Sequence, residues 1–137
     1  MIRGTGAQGT AKSQSDVDEL TWRVRVALAG ELVTERRMFG GTTFMLNGNM
    51  LCWAGRSGLM VRVGREAEEA ALRAPFAGPC LETGRPMGGF VMVKHLGIAE
   101  DPSLAHWLDF ARAYVTTLPA KAGTRARSRR PKRRQRL

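Results

Sequence analysis

Residues 36–55 read RRMFGGTTFMLNGNMLCWAG, and this stretch decides the fold. Thr42–Leu46 and Met50–Ala54 are apolar runs on either side of Asn47-Gly48-Asn49. Asn-Gly is a strong hairpin signal because both residues tolerate positive φ. The Gly40-Gly41 pair admits two readings, a phosphate-cradling loop or a corner in a sheet. A phosphate loop sets its glycines between a strand and a helix, whereas Thr42, Thr43 and Phe44 favour a strand. The glycines are therefore expected to turn a corner between two strands, with one of them in a backbone conformation closed to other residues.

Outward from this hairpin the strand pattern continues. Leu59, Val61 and Val63 alternate with Met60 and Arg62 after a second turn at Gly55–Gly58, which makes a meander of antiparallel strands. Upstream, Ser15 followed by Asp18 resembles a helix start, Val17, Leu20, Val24, Ala27 and Leu28 recur at helical spacing, and Gly30 is a stop. Downstream, Gly64 and the acids Glu66, Glu68 and Glu69 open a short helix that Pro75 closes. Phe76–Gly89 carries Pro79, Gly84, Pro86 and Gly88 and reads as an irregular loop before a strand at Phe90–Val93. Asp101-Pro102 reads as an N-cap acid with proline at the first helical position. Leu104, Trp107, Leu108, Ala111, Tyr114 or Val115, and Leu118 then form one apolar stripe.

The order predicts an α+β fold, an antiparallel sheet of four to five strands with N-terminal, short middle and C-terminal helices packed on one face. One domain is expected over 15–119, after a flexible leader at 1–14 and before a disordered basic tail at 120–137. The leader contains GTGAQG at positions 4–9, but with no strand before it that fingerprint has no dinucleotide-binding context.

Net charge is +10 on 137 residues. Its distribution is uneven. Lys121, Arg125, Arg127, Arg129, Arg130, Lys132, Arg133, Arg134 and Arg136 put nine cations and no acid into the last 18 residues. Subtracting them from 22 leaves 13 basic and 12 acidic residues, a net of +1, for the rest. Such a tail attracts phosphate backbones by counterion release, without base stacking since no aromatic is interleaved. No run approaches the roughly 18 apolar residues of a membrane span, so a cytoplasmic protein with no membrane partner is expected. The two cysteines make no disulfide framework.

Groups that move protons, hold metals or form covalent intermediates are sparse. His95, His106, Cys52 and Cys80 are widely separated, and no close ligand pair announces a metal. Cys52 beside Trp53 reads as a small buried apolar residue, and Ser57 lacks the nucleophile-elbow pattern. Neither catalysis nor a cofactor is expected.

Arg37-Met38-Phe39-Gly40-Gly41, Gly48-Asn49-Met50, Leu59–Val63, Gly84-Arg85-Pro86-Met87 and the final helix ending at Leu118-Pro119 together resemble the TfoX N-terminal domain family. That resemblance spans about Ser15 to Pro119. It implies a small α+β domain related to the bacterial TfoX/Sxy competence regulators, which act with the cyclic-AMP receptor protein at competence promoters. It brings no catalytic residues, and leaves Arg37–Gly41 and Gly84–Met87 as structural or partner-binding positions. Full-length regulators of that kind carry a second, helical domain where this sequence continues with the basic segment. The first expectation is a transcription accessory factor that binds a protein such as the cyclic-AMP receptor protein or RNA polymerase and touches nucleic acid through its tail. The alternative is a small-molecule-binding domain or enzyme with a pocket under the 76–89 loop.

Overall fold

The structure, a computed structural model, describes residues 13–82 and 85–121, with residues 81, 82 and 85–87 described by their backbone alone. The expected leader up to residue 12, Gly84, and every tail cation except Lys121 lie outside the described residues.

The first helix, α1, is Gln14–Ala27. It begins earlier than Ser15 suggests. Ser13 is the N-cap, and its hydroxyl and the Asp16 carboxylate form a reciprocal capping box. Asp16, three residues after the cap, is the acid that can reach back to the cap N–H. Val17, Leu20, Thr21 and Val24 are the buried face. The helix ends before Gly30, which instead turns the following connection with φ +96°.

Six strands follow where four to five were expected. They are β1 (Val33–Met38), β2 (Gly41–Leu46), β3 (Asn49–Gly55), β4 (Gly58–Arg62), β5 (Ala77–Glu82) and β6 (Arg85–Val93), with α2 (Arg65–Leu72) between β4 and β5. All neighbours are antiparallel in the order β1-β2-β3-β4-β6-β5. Asn47 and Gly48 both have positive φ, +55° and +81°, as a two-residue hairpin turn requires.

The additional strand corrects the reading of Phe76–Gly89 as a loop. The breakers sit where strands tolerate them. Pro79 is on β5, at the sheet edge, where a missing N–H need not break a ladder. The β5–β6 register shifts between Pro79 and Leu81, and Gly89 takes φ +87° where β6 bends. At that bend the Gly89 carbonyl accepts from both Val63 N and Gly64 N, at 2.9 and 3.0 Å.

A 3-10 turn at His95–Ile98 leads to α3, Asp101–Val115. Glu100, not Asp101, is the N-cap, and Pro102 is the second helical residue. Leu104, Trp107, Leu108, Ala111 and Val115 are buried. Together with Leu20, Val24 and Leu28 they cover the face of the sheet that presents Phe44, Ala54, Leu59, Val61, Val91 and Val93. Ala71 of α2 joins the same core. Arg25 ties α1 to β1 through two hydrogen bonds to Glu35, at 2.6 and 2.8 Å. These bonds hold the Glu35 carboxyl below the usual carboxylate range.

The opposite face carries a row in register across all six strands: Arg36, Thr43, Trp53, Met60, Met92 and Gly78. Trp53, Met60 and Cys80 are its buried centre, with Met50, Phe90 and Met92 around them. After α3 the chain returns to the β2–β3 hairpin. The buried Asn49 side chain donates to the Pro119 carbonyl at 2.9 Å, and Lys121 N donates to the Asn47 carbonyl at 2.8 Å.

Candidate functional site

Arg37–Gly41 forms a hairpin corner built around Trp53. Met38 pairs with Gly41, which leaves Phe39 and Gly40 as the loop with φ +54° and +75°. Positive φ is easy for glycine and unfavourable for phenylalanine, yet Phe39 adopts it at a position where the residue is 75% exposed. Gly40 has nothing within 4 Å of where a Cβ would stand, so substitution there tests backbone conformation alone. Gly40→Ala is expected to cost about 1 kcal/mol, and Gly40→Asn distinctly less because asparagine visits the left-handed region. Denaturant midpoints check this, and equal costs for the two variants would refute it.

Gly41 and Gly55 serve a different purpose. A Cβ on Gly41 would lie 2.8 Å from the Trp53 ring and run into the Ala54 carbonyl, and one on Gly55 would enter the same ring. Trp53 therefore lies over two glycines on adjacent strands. Its Nε1–H donates to the Met38 carbonyl at 3.0 Å, which satisfies the buried indole donor. Sequence reasoning found the glycines but not the ring they accommodate. The available signal was a tryptophan within two residues of a glycine on a strand.

Arg85 and Pro86 pair with Glu82 and Leu81 at the tip of the β5–β6 hairpin. The pairing of Leu59 with Val93 places that tip at the opposite end of the sheet from Phe39-Gly40. The structure thus does not bring Arg37–Gly41 together with Arg85, Pro86 and Met87. Among the described tail cations there is only Lys121, fixed beside Asn47.

Groups capable of chemistry stay apart. Burial pushes the Cys52 thiol well above its usual range, so it is no nucleophile. Cys80 is also buried, and its Sγ donates to Met60 Sδ at 3.0 Å. His95 Nε2 lies 3.2 and 3.1 Å from the Gly55 and Arg56 carbonyls and donates to the β3–β4 turn, a structural use. His106 is exposed on α3. No group of three or more His, Cys, Asp or Glu among the described residues could hold a metal, and none of their helices is long and apolar enough to cross a membrane.

A cavity of about 660 Å³ opens where β4 passes into α2 beside the bend of β6. Arg62, Arg65, Phe90, Phe110 and Tyr114 form its walls, and Glu66 is the single acid among the described lining residues. Arg62 lies over two rings, 5.5 Å from the Phe90 centroid and 5.8 Å from that of Tyr114. Of the 76–89 segment, under which the alternative reading expected a pocket, Gly88 and Gly89 are among the described lining residues.

The family model described as the TfoX N-terminal domain matches residues 26–114, from the last turn of α1 to the end of α3. No curated protein and no solved structure matches the chain.

Proposed function

The chain belongs to the TfoX N-terminal domain family, and from that membership we propose that it is a non-enzymatic regulatory protein of the competence-regulator kind. In this reading it is a cytoplasmic transcription accessory factor. The α+β body docks on a protein partner, of which the cyclic-AMP receptor protein and RNA polymerase are the leading candidates. The 120–137 segment touches nucleic acid without reading its sequence. The observation that carries the reading is the family match over residues 26–114, joined to a charge distribution that leaves nine cations in the last 18 residues.

The test compares the full chain with one ending at Lys121, which keeps the Lys121–Asn47 bond. For the full chain on arbitrary duplex DNA, log K should fall with log salt at a slope of roughly −4 to −7, if about five to eight cations each neutralise a phosphate. The shortened chain should lose that affinity while still capturing its protein partner from the native cell. If it bound DNA as tightly as the full chain, contact would move to the body, where Arg36, Arg37 and Arg56 are exposed.

A further inference from the structure

The cavity at the β4–α2 junction pairs cations with aromatic walls. Among the described residues neither Arg62 nor Arg65 is in an ion pair; those that form belong to Arg23, Arg25, Arg73 and Arg112. Arg62 is held by the faces of Phe90 and Tyr114. Such a contact engages the cation without a hydrogen bond, and no hydrogen bond among the described residues takes up the Arg62 N–H donors.

The backbone is shaped to this arrangement. A Cβ on Gly88 would stand 3.0 to 3.2 Å from the guanidinium atoms of Arg65, and one on Gly64 would stand 2.7 Å from a Tyr114 ring carbon. Gly64 also takes φ +87°. Side chains at these two positions would displace Arg65 and Tyr114.

Among the described lining residues two guanidiniums face one carboxylate, a net charge of +1 that suits an anion, and the neighbouring Glu68 carboxylate is taken up by the Gly89 N–H at 2.9 Å. Guanidinium forks match phosphate and carboxylate oxygens. The Phe90, Phe110 and Tyr114 walls suit a flat apolar body. The volume falls in the ordinary range for small-molecule sites. A bare inorganic anion would leave the rings unused, and a neutral ring would leave the arginines unmatched.

We propose that this cavity binds a small organic anion, a phosphate or carboxylate joined to a planar ring, which is the chemistry of a nucleoside monophosphate or an aryl carboxylate. None of the described lining residues belongs to the 120–137 segment or to the hairpin corner at Phe39-Gly40. Its occupancy would couple α2, the bend of β6 and the end of α3.

The test is an amide NMR titration of the full chain with adenosine 5′-monophosphate and, separately, benzoate; adenosine and inorganic phosphate serve as the half-probes. At least one of the two complete probes should give saturable shifts at Gly64, Gly89 and Tyr114, with the matching half-probes binding roughly tenfold more weakly or worse. Arg65→Ala, at an exposed position, should weaken that binding by about tenfold or more. Arg62→Ala should do the same, with its near-UV circular dichroism compared with the parent's to separate lost binding from lost structure. The proposal is overturned if neither complete probe saturates at these residues, if shifts stay within 121–137, if inorganic phosphate binds as tightly as the nucleotide and benzoate does not bind, or if Arg65→Ala leaves affinity unchanged.

Discussion

Trp107→Ala is expected to lower the stability of the protein by about 3 to 5 kcal/mol, the range for truncating a buried large aromatic. Trp107 is 3% exposed. Its ring stacks on Phe110 at a centroid separation of 5.7 Å and an interplanar angle of 10°. Deleting it removes the transfer energy of the indole and leaves a void between α3 and the core. Domains of this size have total stabilities of roughly 5 to 15 kcal/mol, so a protein at the lower end of that range would lose more than half of its margin. Equilibrium denaturation checks the value. A midpoint unchanged from the parent would place α3 outside the core. Trp107→Phe should recover much of the loss, because it retains the stacked partner for Phe110.

Gly55→Ala should cost about 1 to 3 kcal/mol, the range for overpacking a fitted site. The three atoms nearest the added methyl all belong to the Trp53 ring. The ring cannot tilt away without stretching its hydrogen bond to the Met38 carbonyl. A double-mutant cycle isolates this cause. In a Trp53→Leu background the Gly55→Ala penalty should shrink to well under 1 kcal/mol, since the ring it would strike is gone. Gly41→Ala makes a useful contrast. Its Cβ would also meet the Ala54 carbonyl, so part of its penalty should survive in the same background. Additive costs for Gly55→Ala and Trp53→Leu would show that the glycine and the ring are independent.

Elements with a local cause could be read from the chain. The stripe of α3 has period 3.6 over four turns, and all five residues buried along that helix belong to it. The Asn47-Gly48 turn declares itself through residue types that accept positive φ, as does the Gly40 corner. Misreadings arose where position in the sheet overrides composition. Pro79 and Gly88 look like loop residues, and only knowledge that β5 is an edge and that β6 bends explains why they stay in strands. The start of α1 shifted by two residues because Ser13 and Ser15 each have an acid three positions on, Asp16 and Asp18, so the cap pattern occurs twice and the residue types alone do not choose between them. As to site residues, Gly40 was legible by its conformation. Gly41 could not be told from it, since its requirement comes from Trp53, twelve positions further on. A pocket beside 76–89 was one expectation, but its walls could not be named for the same reason: Arg62, Phe90 and Tyr114 meet only through tertiary packing.

The bonds that join the end of the described chain to the β2–β3 hairpin bear on the order of assembly. The Asn47-Gly48 hairpin closes over a few residues and can form within microseconds. Asn49 to Pro119 spans 70 positions, so its loop-closure entropy must be met before the bond can form. Docking of α3 meets most of that cost, because Leu108, Ala111 and Val115 bring Pro119 to the hairpin. The early hairpin thus presents a finished acceptor and donor pair that waits for the C-terminal helix. Lys121, the last described residue, is then fixed by a turn that folds long before α3 docks.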